Sequence, residues 1–354
     1  MITDEYVELV NNLISFKTHN QDQVEIGKCF SYIEEFLKDS RYQCFINSSN
    51  GSKSMIISNS DMFKFDCLFC GHIDVVPADD EQFNAKIIGN YLYGRGAIDM
   101  KSQVALILLF LKHYNGNKRL GFIISSDEEI GGFNGTPILL DRFNVKAKVA
   151  IVPDGGYNFK LINSSRGVLQ LNITMKGRSA HSSCEQQGEN AILKAVNLYK
   201  SIKNELNKQS KNCQTVNLAS IEVKNPVYNR VPDLVHLLID IRYSNFSKID
   251  IVYSILNSHP DVSYEIYAKA NPFYMSKDDE MVKKYIKVTG SVLKNKVEIK
   301  ECMSASDARF FMKYNIPVII MNPMGRDMHG KNECVFMPSL DQLYEIYNNF
   351  VDML

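Results

Sequence analysis

The sequence predicts an α/β chain of two domains. A larger domain with a central mixed sheet flanked by helices holds an inserted βαββαβ (ferredoxin-like) unit. Three observations carry this. The chain has 354 residues, too many for one ordinary core. Residues 1–165 and 272–354 alternate apolar strands with helical patterns, which builds a layered α/β sheet. Residues 166–271 run strand, helix, strand, strand, helix, strand, the split βαβ order.

In order, Tyr6–Phe16 and Ile26–Leu37 carry apolar residues at helical spacing. Ser54–Ser58 and Asp66–Ile73 read as strands, and Ile87–Tyr93 as a short strand or hairpin. The turn Gly94-Arg-Gly-Ala-Ile-Asp-Met-Lys101 leads into a helix over 100–114, with Asp99 where an N-cap belongs. Leu120–Ser126 is an apolar strand running into Asp127-Glu-Glu-Ile-Gly-Gly132, and Val149–Val152 is a strand ending in Pro153-Asp-Gly-Gly156. In the inserted unit the strands are Val168–Lys176, Thr215–Val223, Leu234–Arg242 and Val262–Lys269, and the helices Glu189–Leu206 and Lys248–Leu256. Asn271-Pro-Phe reads as the exit linker. Ser276-Lys-Asp-Asp279 resembles a capping box before a helix with Val282, Tyr285, Ile286 and Thr289 on one face. Ile316–Met321 is a strand, and Ser339–Met353 closes the chain as a helix.

Composition excludes several classes. The chain is 45% hydrophobic and 23% charged, a globular balance. Its 40 basic and 40 acidic residues cancel, so nothing electrostatic favours nucleic acid or an anionic membrane. The longest apolar run, Val104–Leu111, is too short to span a bilayer. The acidic start Met-Ile-Thr-Asp-Glu-Tyr does not resemble an export signal. Of eight cysteines only Cys67 and Cys70 are close, without a second pair, so buried thiols in a reducing, cytoplasmic setting are expected rather than a four-cysteine zinc site.

Polar residues interrupt this apolar pattern at particular places. In Phe69-Cys-Gly-His-Ile-Asp-Val-Val76, His72 and Asp74 are two apart and share a strand face. A His beside a carboxylate is a common metal ligand with its orienting partner, although an isolated pair is most simply a hydrogen-bonded core His. Asp99 alone is explained by capping, the acids 127–129 by a solvated turn, and Asp154 by its Asp-Gly turn. Together with His329, however, His72, Asp99, Glu128, Glu129 and Asp154 lie mostly at or just past the C-terminal ends of strands, where open α/β sheets place their sites. Two His and three carboxylates can hold two divalent cations with one carboxylate bridging. Nitrogen and oxygen donors suit Zn²⁺, or Co²⁺ or Mn²⁺. One acid is left over to act on water.

Here the chain resembles the M20 family of co-catalytic zinc aminoacylases and peptidases. Five motifs carry the resemblance in order: Gly71-His-Ile-Asp-Val-Val, Gly94-Arg-Gly-Ala-Ile-Asp-Met-Lys, Ser126-Asp-Glu-Glu, Gly177-Arg-Ser-Ala-His-Ser-Ser and His329-Gly-Lys-Asn-Glu. The resemblance implies that His72 and Asp154 hold one metal and Glu129 and His329 the other. Asp99 bridges, and the peptide after it is cis. Glu128 is the general base, and Asp74 orients His72. His181 is implied to reach from the inserted domain of one subunit into its partner's active site as the oxyanion donor. Residues 1–165 and 272–354 then form the metal-binding catalytic domain, and 166–271 a lid and dimerisation domain of a homodimer acting on a small molecule.

Within the family the likeness is greatest to the enzymes that remove succinate from N-succinyl-LL-diaminopimelate, in lysine and cell-wall synthesis. It rests on Ser126-Asp-Glu-Glu, Asn134-Gly-Thr136, Ser306-Asp-Ala-Arg-Phe310 and His329-x-x-Asn-Glu-Cys-Val335. Asn229 and Arg242 sit at substrate-contacting positions of those enzymes, and Arg309 is a further candidate, its bidentate fork suiting a carboxylate. Two departures point elsewhere. Asp154 stands where the deacylases usually carry Glu, as in the family's dipeptidases and aminopeptidases, and Ser165 stands where the desuccinylases have Arg. Gly177–Ser183 also resembles N-acetylornithine deacetylase. A non-catalytic binding protein on the same scaffold would need loss of the base or of ligands, and all are present.

Overall fold

The structure, a computed structural model, describes residues 3–19, 22–208, 214–224, 226–244, 247–302 and 306–354. Two compact units divide it. The first gathers the chain up to Ser164 with Tyr274–Cys302 and Ser306–Leu354, and the second takes Ser165–Phe273.

The first unit is built on a nine-stranded mixed sheet. At its centre Leu120–Ser125, Cys67–His72, Ala150–Val152 and Val318–Ile320 lie side by side and parallel. Each of these four is buried along its whole length, as expected of parallel strands covered on both faces. The hairpin Gln43–Ser49 and Ser52–Ser58 extends one side by antiparallel pairing, and Leu161–Ser165 extends the other. Neither Gln43–Ser49 nor Leu161–Ser165 was expected from the sequence. The former is a half-exposed strand, and its polar residues hide the apolar signal.

The helices are α1 (Asp4–Ser15), α2 (Gln23–Leu37), α3 (Lys101–His113) and α4 (Thr136–Arg142). Thr3 and Asp22 cap α1 and α2 by accepting from first-turn amides. Helix α3 is buried on all sides over Lys101–Leu111 because it lies in the core, under α1 and against the strand Cys67–His72. Its Phe110 ring sits 5.7 Å from Phe69. Asp99 does not cap it. The cap position is Met100, without a side-chain bond, and the Asp99–Met100 peptide is cis. The carboxylate the sequence placed at a helix cap is directed elsewhere, as the next section describes.

In the second unit Gly167–Lys176, Thr215–Val223, Leu234–Tyr243 and Val262–Ala270 form a four-stranded antiparallel sheet. Alternate residues Leu169, Leu171, Ile173 and Met175 share a core with α5 (Ala191–Asn207) and α6 (Ser247–Ser258).

The chain returns to the first unit with α7 (Glu280–Leu293) and closes with α8 (Met337–Asp352). Ser276 does not complete a capping box. Asp279 caps α7 by accepting from Met281 and Val282 N–H, while Ser276 receives Asp278 N–H one turn earlier. No disulfide joins the described cysteines, and the Cys67 and Cys70 thiols are buried and free; Cys213 lies outside the described residues. Among the described residues, no helix is long and apolar enough to cross a membrane.

Candidate metal centre

The four parallel strands deliver their chemistry at one end. His72 is the last residue of Cys67–His72. Glu128 and Glu129 follow Leu120–Ser125, and Asp154 follows Ala150–Val152 by two residues. Val318–Ile320 runs out into the loop that carries His329. This is the carboxyl edge of the sheet, where side chains project beyond the last backbone pairing.

Two donor groups form there. Ligating atoms of His72, Glu128 and Asp154 lie within 4.8 Å of one another, as do those of Asp99, Glu129 and His329. Asp99 faces both groups. Its Oδ1 is 3.2 Å from His72 Nε2 and its Oδ2 is 3.1 Å from His329 Nε2, which is also 3.1 Å from Glu129 Oε1.

Asp74 supports both groups from behind. The His72 Nδ1 edge meets the Asp74 carbonyl at 2.9 Å and its carboxylate at 3.5 Å, which directs Nε2 into the site. The other Asp74 oxygen accepts Glu129 N–H at 2.9 Å. The strand end itself is pinned by Thr18, whose hydroxyl donates to Ile73 O and whose carbonyl accepts Val75 N–H.

The turn carrying the two glutamates is folded by its neighbours. The Asp127 carbonyl accepts Ile130 and Gly132 N–H, and its carboxylate accepts Asn134 N–H at 2.7 Å. Gly131 and Gly132 have φ of 112° and 66°, a left-handed path that suits glycine. Arg309, expected to meet substrate, aims one guanidinium arm at Gly131 O and another at Ser306 O, and stacks 4.5 Å from the Phe310 ring. Beside it Asp307 accepts from Thr136 Oγ1 at 2.6 Å and Ser125 Oγ at 3.1 Å.

Electrostatics test whether cations fit. Asp99, Glu128, Glu129 and Asp154 bring four carboxylates against two imidazoles. Burial and then the Asp99 charge push Asp154 up to about 8. Burial and then Asp154 hold Glu128 well above the usual carboxylate range. Hydrogen bonds to Asp99 and Glu129 raise His329 to about 10. Burial opposes the charged form of His72, yet Asp74 and Asp99 outweigh it and hold its pKa well above normal. Burial would likewise raise Asp99, but the two histidines hold it below the usual range. The cluster is therefore short of positive charge. Divalent cations bound by these nitrogen and oxygen donors would supply it, so the residues fit a two-metal centre.

Two residues of the site carried no role in the sequence reading. Arg95 and Glu333 are 3% and 1% exposed and form a buried ion pair. They lie inside the Gly94-Arg-Gly and His329-Gly-Lys-Asn-Glu stretches, which was the one signal available for them.

The remaining expected residues lie in the second unit. His181 is exposed and precedes a short 3-10 helix, its Nδ1 2.8 Å from Ser183 Oγ. Asn229 O accepts Ser182 N–H at 3.0 Å, which places Asn229 beside the His181 segment. Arg242 lies on the strand Leu234–Tyr243, and its guanidinium grips Asp240 at 2.8 and 3.1 Å.

Two adjacent His and carboxylate donor groups, with Asp99 between their histidines, suit a hydrolase that works through a pair of divalent cations. Comparison with known proteins gives the family. The model for Peptidase family M20/M25/M40 matches residues 68–353, and the chain belongs to that family. It is therefore a hydrolase of C–N bonds that uses divalent metal. Curated relatives include succinyl-diaminopimelate desuccinylases from Blochmanniella floridana and Rickettsia felis. The first is 25% identical, covering 98% of this chain and 100% of the relative, and the second 27%, covering 98% and 99%. Similar solved structures include aminopeptidase PepT from Bacillus cereus, with a TM-score of 0.79 at 18% identity over 99% of this chain and 98% of that one. Another is the M20 family metallo-carboxypeptidase Sso-CP2 from Sulfolobus solfataricus, with a TM-score of 0.79 at 16% identity over 99% of both chains. At such identities these structures speak for the fold alone.

Proposed function

We propose that the chain removes the acyl group from a small N-acyl amino acid, with N-succinyl-LL-diaminopimelate as the first-choice substrate. The observation that carries the hydrolytic reading is Asp99 held between the two histidines, with Glu128, Glu129 and Asp154 grouped around them. The desuccinylase names of relatives that span the whole chain support the substrate.

In this reading His72 and Asp154 hold one ion, Glu129 and His329 the other, and Asp99 bridges. Zn²⁺ is the expected metal, with Co²⁺ or Mn²⁺ as substitutes. When bound, the ions make a water acidic and polarise the amide carbonyl. Glu128 would take a proton from the water as its oxygen adds to the amide carbonyl, and return it to the nitrogen as the C–N bond breaks, releasing the amine and a carboxylate. A nearby positive charge lowers its pKa from the elevated value it has alone, which readies it as a base. Asp74 keeps His72 in the tautomer whose Nε2 faces the site. Arg309 acts from beneath, through the Gly131 turn.

The second unit serves as lid and dimerisation domain. His181 of the partner subunit donates to the developing oxyanion, and Asn229 and Arg242 meet the substrate. The enzyme works in the cytoplasm, as a homodimer.

A second reading is a dipeptidase, favoured by Asp154 in place of the Glu usual among the deacylases. Hydrolysis of N-succinyl-diaminopimelate, N-acetylornithine and a simple dipeptide by the zinc- or cobalt-loaded protein separates them. Preference for the succinyl substrate is expected. Turnover of the dipeptide alone would replace this reading with the second.

A further inference from the structure

Glu333 and Arg95 tie together two segments that are remote in sequence and adjacent at the metal centre. Glu333 Oε1 accepts the backbone N–H of Ile98 at 3.1 Å and of Asp99 at 3.2 Å. Its Oε2 meets Arg95 Nη1 at 2.5 Å. Arg95 Nη2 then donates to the His329 carbonyl at 3.0 Å. Gly94 N–H returns to Glu333 O at 3.1 Å. The result is a closed ring of hydrogen bonds running from Asp99 through Glu333 and Arg95 to His329.

The loop it holds has a demanding backbone. Asp327 and His329 both have left-handed φ, 58° and 63°, which non-glycine residues rarely adopt. Such a conformation persists only where surrounding bonds over-determine it. Asp327 contributes by accepting Asn332 N–H at 2.8 Å, and Gln82 by donating to Gly330 O at 2.9 Å. Arg95 is the group that bonds the His329 backbone itself. His72 and Asp154 are placed independently, by the strand ends that carry them and by Asp74.

We propose that Arg95 and Glu333 are positioning residues for one half of the metal centre. They set the distance between Asp99 and His329, and so govern most strongly the ion held with Glu129; Arg95, which bonds the His329 backbone, leaves the ion held by His72 and Asp154 largely untouched. The proposal rests on the two-metal reading above. Its physical basis is the guanidinium fork. Arg serves an acid and a carbonyl at once, whereas Lys at the same place keeps the charge opposite Glu333 but cannot reach both in one geometry.

The test is Zn²⁺ titration of the metal-free protein, by calorimetry or against a chromophoric chelator, for wild type, Arg95→Lys and Glu333→Gln, with melting curves of each metal-free form. Wild type is expected to take two ions. Fewer than two would defeat the two-metal reading itself, whatever the variants do. Arg95→Lys is expected to keep the metal-free melting curve and one ion at wild-type affinity, and to bind the other at least tenfold more weakly, the usual cost of a lost orienting partner. Glu333→Gln is expected to weaken that same ion further, and to weaken the ion at His72 and Asp154 to a smaller degree, because it also loosens the shared Asp99. Two ions bound at wild-type affinity by either folded variant would overturn the proposal. So would failure of both variants to fold, since the pair would then serve the fold rather than the site.

Discussion

Asp99 presents one carboxylate oxygen to each of two histidines, Oδ1 to His72 Nε2 at 3.2 Å and Oδ2 to His329 Nε2 at 3.1 Å. No other acid of the cluster is held between both imidazoles in this way. Replacing Asp99 by Ala is therefore expected to weaken both ions together rather than one, and to lower kcat/KM with them. Metal content after dialysis checks it. A variant that keeps one ion at full affinity would show that Asp99 belongs to a single site.

Glu128 differs from the ligands in what its loss should do. In the proposed mechanism it is the base and not a ligand, and burial with the Asp154 charge keeps its pKa high. Glu128→Gln preserves volume and removes the proton acceptor. Turnover is expected to fall by about 10²–10⁴ while both ions stay bound, the range for a lost general base. Unchanged turnover would remove Glu128 from the mechanism.

Asp74 touches both halves of the centre through different atoms: its carbonyl and one oxygen face His72, and the other oxygen holds Glu129 N–H. Asp74→Asn is expected to cost roughly 10–100-fold in metal affinity, as orienting partners of metal ligands do. Because Glu129 hangs from the same side chain, both ions should weaken. Titration with Zn²⁺ decides whether one or both respond.

Arg309 makes a contrasting case. Its arms end on Gly131 O and Ser306 O. Arg309→Lys should leave one of these carbonyls without its donor and destabilise the protein by about 1–3 kcal/mol. The fall in kcat should be similar for succinyl, acetyl and dipeptide substrates, with little change in KM. A KM increase confined to the succinyl substrate, at unaltered melting temperature, would instead make Arg309 a substrate contact.

How much of this was legible in the sequence follows from where each residue sits. His72, Glu128, Glu129 and Asp154 stand out because each is a polar interruption at the end of an apolar run. The βαββαβ order of the second unit was readable because its strands alternate cleanly, as Leu169, Leu171, Ile173 and Met175 do. Asp99 was ambiguous because a carboxylate just before a helix serves equally well as a cap, and the chain bends at Met100 instead. The ring through Arg95 and Glu333 was not legible. Its members are 238 positions apart, and a buried ion pair leaves no periodic trace. The strand Gln43–Ser49 failed for the opposite reason, being exposed enough to look like a loop.

Metal binding should depend steeply on pH, with a sign fixed by the shifts. His329 rises to about 10 and Asp154 to about 8 in the metal-free fold, and His72 and Glu128 are also raised. A group whose folded pKa is raised holds its proton more tightly folded than unfolded. Its stabilising contribution is complete below the unfolded pKa and is lost as pH rises through the folded one. The metal-free protein should therefore lose stability from about pH 4, where unfolded acids titrate, through about pH 6.5, where an unfolded His does, to about pH 10. Cations displace those protons, so the loaded protein should not show this decline, and uptake should release protons and tighten with pH. Calorimetry at one pH in buffers of different ionisation enthalpy counts the protons released, and melting curves of both forms across the window test the rest. A metal-free protein whose melting temperature rises with pH across that window would mean that the histidines and acids are not sharing protons as the geometry requires.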